Sequence, residues 1–425
     1  MKILRPAAVA AALASAALVA ACSGNGTGST AASTGSASTG SAASTSAATS
    51  GASGASANGS PLKVFVMSAD KNSVYEFPTV WTMAEDFAKA QNAAGGVNGH
   101  PIQVITCNDQ ADPNMAVTCA REAVADKVTA LVGGLTLYDN SVFPIIAAAG
   151  IPWIGLNPLG SLGYTSPDSY ATGASAFTYT AAAYYAGKDC STVAAVRTEG
   201  ATDTALLNNF AIPGMADAGK KFSTVVTVGI TQSDLSGPAA QVSSAQCLYM
   251  QLPPQLSEAM VKALQANGSH PHIFSITGTF TDDVMNAAPS VTQGATVIAE
   301  TPPAATSDVW AAARAAIAKY SGAGSVDLAN DNVLNTWTAM QIYADVAAAV
   351  TGPVTGPALK QQLSVSNSIN PKTIPALDFA KPFSVSSYAR LFNHNVVILQ
   401  VEGGKFTPTT GYVDMAPVFL KGAGA

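Results

Sequence analysis

The side chains best suited to binding or reaction lie in a few short stretches. Thr136, Tyr138 and Ser141 fall where an apolar strand gives way to a helix. Hydroxyls and free backbone N–H groups at such a junction suit a carboxylate, and the helix dipole adds to the attraction. The plainer use of the same residues is to cap the helix. Asn157, with Leu159 and Ser161, occupies the loop after the next strand. Glu199 and Asp203 follow one later strand, and Thr281-Asp282-Asp283 follows another. In the second group Thr281 or Asp282 reads as an N-cap, with Asp283 complementing the helix dipole. Tyr75, Phe77 and Trp81 offer aromatic walls, although Trp81 stands beside apolar helical positions and reads as core.

Signatures of catalysis are missing from the sequence. The histidines are His100, His270, His272 and His394, none at a zinc-helix spacing, and His270-Pro271-His272 reads as a loop. Gly214–Lys221 has the outline of a phosphate loop, but Lys221 replaces the required Ser or Thr. It also closes a helix before a strand, the wrong order for cradling phosphate, so Gly219 reads as a helix stop. No G-x-S-x-G elbow occurs. The expectation is a binding protein, not an enzyme, with no cofactor and no metal.

The elements that must position these residues are clearest between Ala84 and Gly134. Val80, Met83, Ala84, Phe87 and Ala88 form one apolar helical stripe. Asn92-Ala-Ala-Gly-Gly stops it, because glycine accepts the left-handed conformation that satisfies the last carbonyls. Ile102–Thr106 reads as a strand, Asp112-Pro113 as a helix start, and Thr129–Val132 as a strand closing on Gly133-Gly134. Further strands are expected at Leu62–Met67, Ile151–Gly155, Thr192–Val196, Ser223–Val228, Leu248–Leu252, Ile273–Thr277, Ala295–Ala299 and Val396–Val401. Strands alternating with helices imply parallel sheets covered on both faces. Ligands of such sheets bind beyond the carboxyl ends of the strands. The loops there are Ser68–Tyr75, Leu135–Ser141 and Leu156–Leu162, then Thr198–Thr204, Gly278–Asp283 and Glu300.

The run Asn92-Ala-Ala-Gly-Gly-Val-Asn-Gly, then Asp109-Gln110-Ala111-Asp112-Pro113, then Ala130-Leu131-Val132-Gly133-Gly134 resembles the leucine/isoleucine/valine-binding family of solute receptors. Weaker similarity extends from about Leu62 to Ala416. The resemblance implies an α/β chain of two Rossmann-like lobes with parallel central sheets and a three-segment hinge, the type I periplasmic-binding fold. On that pattern residues 61–177 form the first part of lobe 1 and 178–302 the first part of lobe 2. Residues 303–374 return to lobe 1, and 375–425 supply the hinge and the rest of lobe 2. A small solute would lie between the lobes, with a carboxylate on Thr136 and an ammonium on an acidic residue near Asp282. The expected ligand-binding residues are Tyr75, Thr136, Tyr138, Asn157, Glu199, Asp203, Thr281 and Asp282. Asn157 departs from the small hydroxyl residues usual in its loop. The implied partners are an ABC permease and its ATPase, receiving an amino acid or related carboxylate. A sensor of the same fold, feeding a membrane signalling partner, is the alternative; an exported enzyme or adhesin ranks below both.

Lys2 and Arg5 precede an apolar run ending in Val19-Ala20-Ala21-Cys22. This is a signal-peptide pattern, and the cysteine after the cut resembles a bacterial lipobox. Residues 1–21 are therefore expected to be removed, with Cys22 lipidated. Residues 23–60 are almost entirely Ser, Thr, Ala and Gly without charge and read as a disordered tether of roughly 30–40 Å root-mean-square span. Export and lipid anchoring on the extracytoplasmic face follow. Lys2 and Arg5 are the charges of the first 60 residues, so the remainder carries 18 basic and 26 acidic residues, a net of −8. No basic stripe exists for nucleic acid. The four remaining cysteines allow three pairings, of which Cys107–Cys119 with Cys190–Cys247 is favoured over free thiols.

Overall fold

The computed structural model describes residues 57–70 and 77–422. The signal peptide, Cys22, nearly all of the tether and Tyr75 lie outside the described residues. Two sheets carry the fold. The first contains β1 (Leu62–Ser68), β2 (Ile102–Asn108), β3 (Ala130–Val132), β4 (Trp153–Ile154) and β5 (Ser169–Tyr170) in the order β2-β1-β3-β4-β5. All its pairings are parallel.

The second sheet contains β6 (Val193–Thr198), β7 (Thr224–Val228), β8 (Cys247–Gln251), β9 (His272–Ile276), β10 (Thr296–Ala299), β11 (Asn395–Glu402) and β12 (Lys405–Asp414). Its order is β12-β11-β10-β9-β8-β6-β7. The strands from β6 to β10 pair in parallel, and β11 and β12 add an antiparallel edge. The chain thus has the two-lobed α/β architecture that the family resemblance implies, with the parallel sheets expected from its strand–helix alternation.

Both lobes use the two-residue period of a strand to fill a layer on each face. In β1, Val64 and Val66 pack with the helices Thr79–Ala93 and Asp331–Ala349. Phe65 and Met67 face the other way, onto Pro113–Ala125 and Asp139–Ala148. In β6, Val193 and Ala195 join one core while Ala194 and Val196 join the other. Full burial of each large side chain contributes about 1.5–3 kcal/mol, so these alternating runs fix the register. The apolar stripe of Thr79–Ala93 is buried as its spacing implies, and Asp112 accepts from the N–H groups of Asn114 and Met115.

Three crossings join the lobes. The chain leaves the first sheet at Tyr170, and Ala176 and Phe177 already pack in the second-lobe core. It returns through Glu300–Pro303 to the helices Ala311–Tyr320 and Asp331–Ala349. The third crossing lies between Phe379, still in the first-lobe core, and β11. Here Ala171 bridges Leu391 in parallel, and Asn393 Nδ2 donates to the Thr172 carbonyl at 3.1 Å. Arg390 lies over the rings of Tyr170 and Phe392 at 4.5 and 4.8 Å.

Both disulfides form as the sequence reading pairs them. Cys107–Cys119 has Cα atoms 5.8 Å apart, and Cys190–Cys247 has them 6.0 Å apart. The second follows from the pairing of β6 with β8, which sets Val193 opposite Cys247. Gly219 has a φ of +75° and ends its helix as expected. Gly214 lies inside that helix, where a Cβ would come 2.3 Å from the Thr180 carbonyl. It is a packing glycine.

Candidate functional site

The carboxyl ends of the two sheets contribute two different polar surfaces. The first lies wholly within the first lobe. β3 turns at Gly133 and Gly134, with φ of +57° and +70°, and a Cβ on Gly134 would stand 2.1 Å from the Met67 carbonyl. Only glycine fits so near the neighbouring strand, and the turn delivers Thr136 inward. Thr136 is 2 % exposed. Its hydroxyl donates to Asp109 Oδ2 in a short hydrogen bond and accepts from the Tyr138 N–H at 3.2 Å. Asp109 is fully buried, and burial raises its carboxyl above the usual range against the opposing pull of Thr136. The phenol of Tyr138 donates to the Ala111 carbonyl at 2.9 Å. These hydroxyls have their protons committed to partners inside the lobe.

Asp139 extends this surface, with its Oδ1 buried and without a hydrogen-bond partner. Its Oδ2 accepts from the N–H groups of Leu159 at 3.2 Å and Gly160 at 2.8 Å. Asn140 Oδ1 accepts from Leu162 N–H at 2.8 Å. The start of the helix Asp139–Ala148 therefore fixes the loop that carries Asn157.

Asn157 opens the second surface, which spans the lobes. Its Nδ2 donates to Ser175 Oγ at 2.7 Å and to Asn332 Oδ1 at 2.9 Å. Ser175 in turn donates to Glu300 Oε1 at 3.0 Å. Glu300 ends β10's run at the second crossing, whereas Asp331 begins the long first-lobe helix Asp331–Ala349. Asp331 Oδ2 accepts from the Thr277 hydroxyl, beyond β9 of the second lobe. Glu300 and Asp331 are 4 % and 8 % exposed. Neither takes part in an ion pair among the described residues.

Two buried carboxyls without a cation cannot both ionise cheaply. Burial, then repulsion from Asp331, pushes the Glu300 carboxyl up to about 8. Burial raises Asp331 to about 6 against the hydrogen bonds from Thr277 and the Glu300 backbone, with Asp327 adding repulsion. Burial first, then Asp331 and Glu300, also raises the phenol of Tyr412 on β12. Two buried polar atoms lack partners here: Asn157 Oδ1, an acceptor, and the hydroxyl of Thr301 beside Glu300. Both side chains are 5 % exposed.

The other expected residues are dispersed. Thr281 is the N-cap of the helix Asp282–Ala287, accepting from Val284 N–H at 3.4 Å. Asp282 is exposed; burial and then Asp327 and Asp283 raise its carboxyl, so an acidic first-lobe loop faces an acidic second-lobe helix start. Asp203 accepts from Thr198 Oγ1 at 2.6 Å and, through its carbonyl, from Gln251 at 3.0 Å. Glu199 is exposed and lines a separate recess of about 680 Å³ with Arg197, Asn208, Asn209 and Thr227. A second recess of about 690 Å³ lies around Ser60, Lys63, His100 and Val350, at the opposite ends of the first-lobe strands. Of the expected residues that are described, Asn157 alone joins the interlobe network.

Ser175, Thr277, Asp331 and Asn332 escaped the sequence reading. One signal was present: Asn330-Asp331 opens the second long helix after the second crossing, and Asn330 does cap it, accepting from Asn332 and Val333.

The family described as periplasmic binding protein matches residues 73–405 of the chain. Solved structures of similar fold include a possible leucine/isoleucine/valine-binding protein from Rhodopirellula baltica SH 1, with a TM-score of 0.68 at 12 % identity, covering 82 % of this chain and 96 % of that one. A fatty acid ABC transporter substrate-binding protein from Thermomonospora curvata has a TM-score of 0.66 at 15 % identity, with 84 % and 94 % covered. A substrate-binding periplasmic protein from Ralstonia solanacearum has a TM-score of 0.68 at 15 % identity, with 82 % and 99 % covered. No curated protein matches the chain.

Proposed function

The chain belongs to the periplasmic binding protein family, and from that premise we propose that it captures a small polar or amphipathic solute between its lobes and delivers it to an ABC permease. The observation that carries this reading is the polar network between the lobes, where Asn157, Ser175, Glu300 and Asp331 converge with acceptor capacity to spare. Polar groups buried without partners cost free energy. A solute supplying the missing donors recovers that cost and ties the lobes together, which is the physical basis of hinge closure.

The ligand end that meets Glu300 is a donor. The amino-acid reading therefore rests on its ammonium more than on its carboxylate, because Thr136, the expected carboxylate partner, already donates to Asp109. The named ligands of the structural neighbours, branched-chain amino acids and fatty acids, define the classes to test first.

Cys22 and the uncharged segment after it support a lipid anchor on the extracytoplasmic face. Cys22→Ala should release the protein from membranes; variant protein that still pellets after a carbonate wash would refute the anchor. For solute capture, the test is a thermal-shift screen of amino acids, amines, amides and fatty acids. A ligand at 100 times its Kd stabilises the native state by about 2.7 kcal/mol. Deletion of the gene should abolish uptake of the compound found. Intact uptake with a lost transcriptional response would instead favour the sensor role.

A further inference from the structure

We infer that the interlobe floor selects a solute bearing a cationic nitrogen group and no need for carboxylate recognition: an amine, amidine or guanidinium compound. The inference rests on the solute-binding role proposed above and assigns its ligand class. Four observations support it. Glu300 from the second lobe and Asp331 from the first are both buried, in one hydrogen-bonded network with Asn157, Ser175 and Thr277. Asn157 Oδ1 is an acceptor in that network with no donor facing it. The titratable groups that couple to the pair are acidic or phenolic: Asp327 before the first-lobe helix, and Tyr412 on β12. The nearby rim adds Asp282 and Asp283. Finally, the hydroxyls placed to greet a carboxylate, Thr136 and Tyr138, donate to Asp109 and Ala111.

A site so composed repels an anionic end and accepts N–H donors. Ordinary neutral hydrogen-bonding solutes would satisfy Asn157 but offer the two carboxyls no counter-charge, so that a proton stays bound there. A cation replaces that proton. The raised carboxyl pKa values then set a sign: with Glu300 at about 8 and Asp331 at about 6, protons compete with the cation. Affinity should rise as pH increases through this range and level off above it. Binding at neutral pH should release a proton.

The test uses the full mature chain and calorimetric titration with named probes: methylguanidine, agmatine, putrescine and spermidine against L-leucine and octanoate. Titrations of the best cation in two buffers of different ionisation enthalpy count the protons released. The expected result is saturable binding of at least one cationic probe, proton release near neutral pH, and no comparable binding of octanoate. Glu300→Gln and Asp331→Asn should each weaken the cation by roughly 10–150-fold, the range for losing a charged hydrogen-bond partner. The wild-type proton count needs no variant, so a misfolded substitution does not rescue the idea. Tighter binding of L-leucine or octanoate than of every cation overturns the ligand class and leaves solute capture standing. Failure of all six probes also overturns the class, and unchanged solute uptake in a deletion strain would then remove the receptor role as well.

Discussion

The rim around Thr136 and the floor around Glu300 use similar residues to opposite ends. At the rim, Thr136, Tyr138, Asp109 and Asp139 hydrogen-bond within one lobe, although Asp139 Oδ1 is left without a partner. At the floor, groups from both lobes meet around two carboxyls without a cation, and Asn157 Oδ1 lacks a donor. A polar loop at the end of a strand is thus not a site by virtue of its composition. What distinguishes the floor is that its buried carboxyls, Glu300 and Asp331, come from opposite lobes and act on each other.

The largest effect expected from this contrast is on stability against pH. Glu300 and Asp331 have raised pKa values in the folded state, so between the ordinary carboxylate range and about 8 the folded chain binds more protons than the unfolded one. Stability is therefore greatest in mild acid and falls as pH rises toward 8. Each tenfold weakening of a carboxyl's acidity on folding is worth about 1.4 kcal/mol of this loss. Urea titrations from pH 5 to 8 measure the effect, and Glu300→Gln should flatten the slope. A wild-type slope no steeper than that of Glu300→Gln would break the contrast.

The disulfides test whether the rim is mere scaffold. Reduction of the Cys190–Cys247 loop should cost about 4 kcal/mol and of the Cys107–Cys119 loop about 3 kcal/mol on the chain-entropy model. Cys107→Ser with Cys119→Ser loosens the strand leading to Asp109. It should lower the unfolding free energy while leaving solute affinity intact, as measured by denaturant titration beside calorimetry.

Thr136→Val is the smaller and sharper case. It strips the buried Asp109 of its hydroxyl donor, leaving the Ala111 N–H on the other oxygen, which costs about 1–3 kcal/mol of stability. Solute affinity should not move. Loss of binding at unchanged melting temperature would return Thr136 to the binding role that its place in the sequence suggests.

Much of the fold was legible because its signals are local. The Thr79–Ala93 stripe, the Asp112 cap, the Gly219 stop and the strands of both sheets each follow from a few adjacent residues. The cysteine pairs were legible for a related reason: neighbouring parallel strands bring their amino ends together. The floor was not, because its members come from five distant segments and none carries a motif. Asp331 looks like any acidic residue in a first helical turn until the second crossing sets it beside Glu300. The contact of Thr136 was equally hidden, since its partner Asp109 lies 27 residues earlier and only the pairing of β1 with β2 and β3 brings them together.

The most direct measurement is the affinity of the best solute from the screen for wild type, Glu300→Gln and Thr136→Val, by calorimetry at one pH near neutrality. The floor predicts a loss of roughly 10–150-fold in Glu300→Gln and wild-type affinity in Thr136→Val. The reverse pattern, with Thr136→Val impaired and Glu300→Gln unaffected, would contradict it.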